Sequence, residues 1–286
     1  MRVDVIMCTW NSNKPYFVRC LRSIRKEVPV HHFILVDRFS NDGTLETVKK
    51  VFPNAIVRET DSNLGVARKI GINLVDTDFF IFVDDDIELC DGWFKEIVSY
   101  LDESTGAIHG MVPPSLRHLN KWFEWVWKKW LPRRKGTLEK VQVVTIKEPD
   151  ITRGYTNNTL VRKSVVEDWA PPSFLCAYED HMMLRHVVKK GYAWKILTQL
   201  TVRHWGIDNL RGWMRKAMWN IAGARLIKFD NFSLWSLITA VPKQTLKAIY
   251  ASIELNEPLI IPYVFFGELA RVHGWLNWTK YLTMKR

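Results

Sequence analysis

Four short apolar runs, each closed by polar or acidic residues and each followed by a helical pattern, constrain this chain more than any other feature. Residues 2–8, 32–36, 55–60 and 79–83 read as buried strands. Between them, Phe17, Leu21, Ile24 and Val28 recur at helical spacing, and residues 44–52 and 64–75 are helical. Residues 92–101 form a further helix with Trp93, Ile97 and Leu101 on one face, and 107–112 read as a fifth strand. Asn11 to Asn13 offer helix caps, and Pro15 suits a first turn. Strand–helix alternation with short loops predicts an α/β fold: a mostly parallel sheet with helices on both faces. Ligands of such sheets bind beyond the carboxyl ends of the strands. The residues there are Thr9-Trp10-Asn11, Asp37, Asp61-Ser62-Asn63 and Asp84-Asp85-Asp86.

With 47% hydrophobic and 25% charged residues among 286, the chain has enough apolar material to offset chain entropy, which excludes a disordered protein. Cys8, Cys20, Cys90 and Cys176 are too few and too scattered for a disulfide framework and read as free thiols of a reducing cytoplasm. The N-terminus is no signal peptide. The longest uncharged apolar stretches, 231–242 and 258–267, fall short of the roughly 20 residues of a spanning helix, so the expectation is a soluble, cytoplasmic protein or one lying on the inner face of a membrane. The net charge of +11 favours an anionic partner: nucleic acid, acidic lipid or a phosphorylated ligand. Residues 116–140 hold eight Lys or Arg against two Glu, and 201–286 hold twelve against five acids.

Two readings stand beside each candidate site. The Asp84-Asp85-Asp86 triplet is either a solvated acidic turn or a set of oxygen donors for Mg²⁺ or Mn²⁺ bridging to a diphosphate. In residues 37–44, turn chemistry accounts for Gly43 but not for Asp37 at the end of a strand, where a carboxylate can accept bonds from a base or ribose. Asn63, Gly65 and Arg68 open a helix that is either simply capped or an anion site. The absence of Gly-x-Gly-x-x-Gly and of a Walker lysine motif removes dinucleotide dehydrogenases and P-loop NTPases, and the absence of Gly-x-Ser-x-Gly removes an esterase-type triad. His31-His32, His109 and His118 show no metal spacing, so no zinc site is expected; His181 and His186 read as helix-surface or packed residues.

In order, these pieces resemble the family-two glycosyltransferases, which have a GT-A fold, over roughly residues 3–205. The matching elements are Thr9-x-Asn11, Asp37 with Ser40-x-Asp42-Gly43-Thr44, Asn63-x-Gly65-x-Ala67-Arg68, the aspartate triplet in the place of the DxD motif, and the acidic pair Glu179-Asp180 followed by Arg185 and Gly191-Tyr192. The resemblance implies that Asp37 binds the nucleotide base and that Thr9 and Arg68 help hold the donor. It further implies that Asp84 lies near ribose and metal, Asp86 coordinates the metal (Mn²⁺ or Mg²⁺), and His204 is a further metal ligand. Asp180 would then be the catalytic base, with Asn11, Asn63, Gly65, Asp85, Glu179 and Trp205 lining the substrates. Glu179-Asp180 also reads as a helix N-terminal cap.

Residues 121–135 hold four Trp within nine positions and end in a basic run, which suits a membrane interface, sugar stacking, nucleic-acid binding, or a helix whose Trp face packs on the sheet. A strand over 141–147 and a loop over 152–158 follow; Asn157 and Asn158 read as sugar contacts or turn formers. Beyond Gly206, residues 210–229, 234–250 (broken near Pro242) and 258–278 read as helical, with Arg211, Arg215, Lys216, Arg225 and Lys228 on the first. The expected organisation is a GT-A nucleotide-sugar-binding and catalytic domain, 1–206, and a basic aromatic helical extension, 207–286, facing an anionic membrane or a second subunit.

The expected activity is inverting, metal-dependent transfer of a hexosyl group from a UDP- or GDP-sugar to a hydroxyl of a glycan or lipid-linked acceptor, with no nucleic acid involved. Two alternatives accompany it. A polyprenyl-phosphate sugar transferase would need no base, because a phosphate acceptor is already ionised. A non-catalytic nucleic-acid or membrane-binding protein on the same fold would make no use of the aspartate triplet.

Overall fold

A computed structural model of the chain describes residues 1–129, 140–145, 154–175, 177–207, 209–228 and 232–283. The apolar runs form β1 (Val3–Thr9), β2 (Val30–Asp37), β3 (Ile56–Glu59) and β4 (Phe79–Val83), joined by α1 (Phe17–Glu27), α2 (Thr44–Val51) and α3 (Leu64–Leu74). Next come β5 (Ile87–Glu88), α4 (Trp93–Ser99), β6 (Thr105–Met111), α5 (Arg117–Lys129), β7 (Val141–Val144), β8 (Asn158–Arg162) and α6 (Lys163–Val166). α7 (Glu179–Lys189), β9 (Ala193–Thr201) and β10 (Arg203–His204) follow, then α8 (Leu210–Leu226), α9 (Leu234–Leu255), α10 (Ile260–Leu276) and α11 (Trp278–Thr283).

The eight-stranded sheet runs β3-β2-β1-β4-β8-β6-β9-β7. β1 to β4 are parallel to one another, as are β6 and β9; β8 runs antiparallel between β4 and β6, and β7 antiparallel at the edge. β10 pairs antiparallel with β5 in a separate ribbon. Strand periodicity of two explains the layers. Val3, Val5 and Met7 of β1 join Phe17, Leu21 and Ile24 of α1 and Trp93 of α4 in one core; Ile6, between them, joins Ile72 of α3 and Met183 and Val187 of α7 in the other.

Several expectations change. β8 and β9 are not read from the sequence, because NTLVR is short and AWKILTQLT alternates poorly. The strand expected over 141–147 ends at Val144; residues 146 and 147, like 130–135 of the Trp-rich segment and 152–153 of the following loop, lie outside the described residues. α9 passes through Pro242 unbroken; the helix there is solvent-facing, so the carbonyl of Ile238, which proline leaves without an N–H partner, can turn to water. The Trp face of α5 packs not on the sheet but on the C-terminal helices, Trp122 and Trp125 meeting Ala248, Ala251, Ile260 and Val264. Asn158 is neither sugar contact nor turn former: buried in the sheet, its side chain accepts from Trp93 Nε1 (3.2 Å) and Gly110 N (2.9 Å).

His109, on β6, is fully buried with its ring against Tyr155 and Trp194. Its Nδ1 lies 2.7 Å from the Gly110 carbonyl, which makes Nδ1 the protonated nitrogen of a neutral ring. Burial holds its pKa down to about 4, against 6.5 ordinarily. Between these values the unfolded chain binds the proton and the native state does not. Stability from this group is therefore full above pH 6.5 and falls as the pH drops towards 4, by roughly 3 kcal/mol at most. His109→Gln should flatten that part of a urea-midpoint against pH curve; equal slopes in the two proteins would contradict the assignment.

Candidate functional site

The carboxyl ends of β1 and β2 lie side by side, with Thr9 paired to Asp37. Asp37 has no exposed surface; its Oδ1 accepts from the hydroxyls of Thr9 (2.6 Å) and Ser40 (2.7 Å), and its Oδ2 from the Ser40 amide (2.7 Å). The residues expected as helix caps serve elsewhere. Asn11 adopts a left-handed conformation, φ 50°, its amide donates to Ser40 Oγ (2.7 Å), and its Oδ1 accepts from Asn41 N (3.0 Å). Ser12 N donates to Thr44 Oγ1 (2.9 Å) and Asn13 N to Asp42 Oδ2 (3.0 Å), which knits the two loops together beneath the site. α1 starts after Tyr16 with no side-chain cap. Asn63 does cap α3, accepting from Val66 N at 2.9 Å. Gly65 gives α3 its close approach to α7: a Cβ there would stand 3.0 Å from Pro171 Cβ and 3.3 Å from Glu179 Cβ.

Asp84, Asp85 and Asp86 turn the chain at the end of β4. Asp84 N donates to the Asn157 carbonyl (3.1 Å), Ile87 N to the Asp84 carbonyl (3.2 Å) and Trp205 N to the Asp86 carbonyl (2.9 Å). Arg68 of α3, 3% exposed, places Nη2 3.0 Å from Asp84 Oδ1 and Nη1 on Glu179 Oε1. Burial pushes the Asp84 carboxyl up, and the Asp86 charge adds to it, against the pull of Arg68. Burial and the Asp86 charge raise Asp85 to about 7 although the Ser12 hydroxyl bonds it. The triplet is thus a crowded set of carboxylates whose protein cation, Arg68, reaches Asp84 from one side.

The ribbon of β10 on β5 sets His204 opposite Ile87 and brings its Nε2 to 3.1 Å from Asp86 Oδ2. Gly206 follows from this approach, since a Cβ there would fall 2.0 Å from Asp86 Oδ2. Trp205, expected to line the substrate, points elsewhere: it stacks on Tyr16, lies under Arg203 (3.8 Å) and donates from Nε1 to Glu88 Oε2 (3.0 Å). It braces the ribbon and lines neither cavity described next.

Two cavities meet at Asp84 and Leu64. The first, about 320 Å³, is lined by Thr9, Trp10, Asp37, Ser62, Asp85 and Asp86. The second, about 300 Å³, is lined by Arg68, Tyr155, Asn157, Glu179, Asp180 and His204, and closed by Trp213, Lys216 and Trp219 from α8. Tyr178, at φ 69° in left-handed backbone, turns the chain so that Glu179 and Asp180 open α7, where the helix dipole favours carboxylates. Glu179 and Asp180 are both buried. Ser12, Trp213 and Trp219 are site residues that sequence reasoning did not single out. A signal existed for α8: Trp213, Lys216 and Asn220 fall on one helical face.

The family model for glycosyl transferase family 2 matches residues 4–169. No curated protein sequence matches significantly. Among solved structures, this chain is similar to the mannosyltransferase PcManGT from Pyrobaculum calidifontis in complex with GDP-Man and Mn²⁺. The TM-score is 0.62 at 15% identity, over 94% of this chain and 86% of that one. It is also similar to S. aureus TarS 1-349 in complex with UDP, with a TM-score of 0.56 at 18% identity, over 98% of this chain and 90% of that one. At such identities the likeness is one of fold.

Arg68 joins α3, the β4 turn and α7, and its removal leaves Glu179 and Asp84 without their shared cation. Arg68→Met should cost about 3–5 kcal/mol in urea unfolding. Arg68→Lys should cost less, because a single ammonium keeps the charge but loses the fork that reaches both carboxylates. A midpoint unchanged in both variants would contradict this role.

Proposed function

The chain belongs to glycosyl transferase family 2 and is a glycosyltransferase; from that premise we propose that it catalyses inverting, metal-dependent transfer of a sugar from a nucleotide-diphosphate donor to an acceptor hydroxyl. The observation that carries the proposal is the pair of cavities meeting at Asp84, one holding Asp37 and the aspartate triplet, the other holding Asp180. A two-substrate displacement needs two chambers that share the reacting centre.

The first cavity takes the donor. Asp37, fixed by Thr9 and Ser40, presents its strand end to the base, uridine or guanosine, and Asp84 stands near the ribose. Asp84, Asp86 and His204 would hold the divalent ion. Carboxylates that raise one another's pKa want a cation, and oxygen donors with one imidazole suit Mn²⁺ or Mg²⁺. When bound, such an ion neutralises charge growing on the diphosphate leaving group. The complex of PcManGT with GDP-Man and Mn²⁺ on a similar fold supports both parts of this reading. Arg68, engaged with Asp84 and Glu179, acts as a positioning residue rather than as a donor contact.

The second cavity takes the acceptor. Trp213, Trp219 and Tyr155 offer aromatic walls for a sugar face, and Asp180 on the same wall as Glu179 takes the proton as the hydroxyl attacks. A single displacement on the face opposite the leaving group inverts the anomeric centre. We assign 1–206 to donor binding and catalysis and 207–286 to a helical extension that completes the acceptor wall. Among the described residues no helix is long and apolar enough to cross a membrane. Trp235, Ile238, Leu246, Ile249 and Ile253 nevertheless form an exposed stripe along α9, beside Lys243 and Lys247. That face fits an anionic lipid surface, and with it a lipid-linked acceptor.

Asp86→Ala should abolish donor turnover by at least about a hundredfold, the loss typical when a charge-stabilising group is removed. Asp180→Asn should abolish transfer to a hydroxyl acceptor while donor affinity, measured by calorimetry, stays near wild type. Equal donor loss in both variants would remove Asp180 as base. Full activity of Asp180→Asn on a polyprenyl phosphate would replace the hydroxyl acceptor with an ionised one.

A further inference from the structure

The edge of the sheet opposite the two cavities carries a second cluster of ligand-type side chains, contributed by the starts of β1 and β2 and the turn after α3. The β1–β2 pairing shifts between Val3, which faces Val30, and Val5, which faces Phe33. One residue, Asp4, therefore stands against two, His31 and His32. This is a bulge, and bulges re-aim side chains. Neighbouring strand residues ordinarily point to opposite faces; here the two imidazoles lie side by side, with centroids 4.0 Å apart. Asp76 closes the group from the turn before β4.

The group is held rather than merely gathered. Asp4 is fully buried, and two backbone amides fix its carboxylate: His32 N donates to Oδ1 (3.0 Å) and Asp76 N to Oδ2 (2.8 Å). One ligand atom from each of Asp4, His31, His32 and Asp76 lies within 4.8 Å of all the others. His32 Nδ1 is 3.4 Å from Asp4 Oδ1 and 3.3 Å from Asp76 Oδ1, and His31 Nε2 is 3.6 Å from Asp76 Oδ1. Charge-assisted hydrogen bonds would bring such atoms to about 2.7–2.9 Å. His32 Nδ1 is instead buried and makes no hydrogen bond. These three spacings, 3.3, 3.4 and 3.6 Å, are close to the edge of a tetrahedron, about 3.3 Å, around a metal whose nitrogen and oxygen ligands stand at about 2.0–2.1 Å.

We propose that Asp4, His31, His32 and Asp76 form a four-coordinate zinc site, separate from the donor cavity. Two carboxylates balance the double charge, and two neutral imidazoles among four ligands favour Zn²⁺ over Mn²⁺ or Mg²⁺, which prefer surroundings made mainly of oxygen. The backbone bonds to Asp4 are the outer-shell support that orients a ligand. His31 and His32 are partly exposed and Asp76 is exposed, which gives the ion a route in from solvent. With all four positions filled by protein, the ion clips the starts of β1 and β2 to the turn after α3 and has no open position for substrate. Sequence reasoning finds no zinc spacing because the ligands come from three separate elements and meet through a bulge that no motif records.

Chelator-stripped protein titrated with Co²⁺ should develop the intense visible band of tetrahedral cobalt at one equivalent, and Zn²⁺ should displace it. Zn²⁺ should also raise the Tm, since it binds the native state only. The H31Q/H32Q variant should lose the band and weaken Zn²⁺ by more than the roughly 10–100-fold that loss of an outer-shell partner costs. His31→Gln alone, at a partly exposed position, serves if the double variant fails to fold, and should show the same loss in weaker form. D84N/D86N should keep the band and the Tm rise. Absence of the band in the wild type, its survival without both imidazoles, or its loss in D84N/D86N would each overturn the site.

Discussion

The guanidinium of Arg68 is the interaction on which the site depends. It is buried, and it joins the carboxylate at the end of β4 to the acidic pair that opens α7. Arg68 and Glu179, 111 residues apart in the chain, thereby set the two elements to a common wall. Without that cation, Glu179 and Asp84 would face one another across a buried space, and desolvation together with like charge would drive them apart. With it, Asp84 becomes the partition between two cavities, each with its own set of polar groups.

A second constraint follows from the first. Arg68 compensates Asp84 from one side, while Asp85 and Asp86 crowd behind it, and burial raises Asp85 to about 7. A pyrophosphate arriving at this turn would add further negative charge to carboxylates already raised by burial and by one another, which is what makes a divalent ion part of the proposed chemistry rather than an accessory to it. The His204 ribbon, with Gly206 beneath Asp86, closes the same place from the C-terminal side.

Much of this was legible in the residues. β1 to β4 and the polar strand ends follow from periodicity, the acidic pair follows from the resemblance to the family-two glycosyltransferases, and the aspartate triplet is contiguous in the chain. What was not legible depended on contacts distant in sequence. Trp205 reads as a binding aromatic but is consumed by Tyr16, Arg203 and Glu88. Asn158 reads as a turn residue but satisfies Trp93 and Gly110 inside the sheet. The Trp face of α5 reads as facing the sheet but meets α9 and α10, whose docking no local pattern states. Pro242 reads as a break, yet a helix facing solvent tolerates it. The bulge that pairs His31 with His32 left no motif at all.

If the proposed chemistry holds, the cluster at Asp84–Asp86, beside Asp37, takes a nucleotide together with a divalent ion. Thermal shift with UDP and GDP, each with and without Mn²⁺, tests it most directly, since a ligand that binds the native state raises the Tm. One nucleotide should give a rise that requires Mn²⁺ and disappears in Asp86→Asn. A rise indifferent to Mn²⁺, or one that survives in Asp86→Asn, would contradict it.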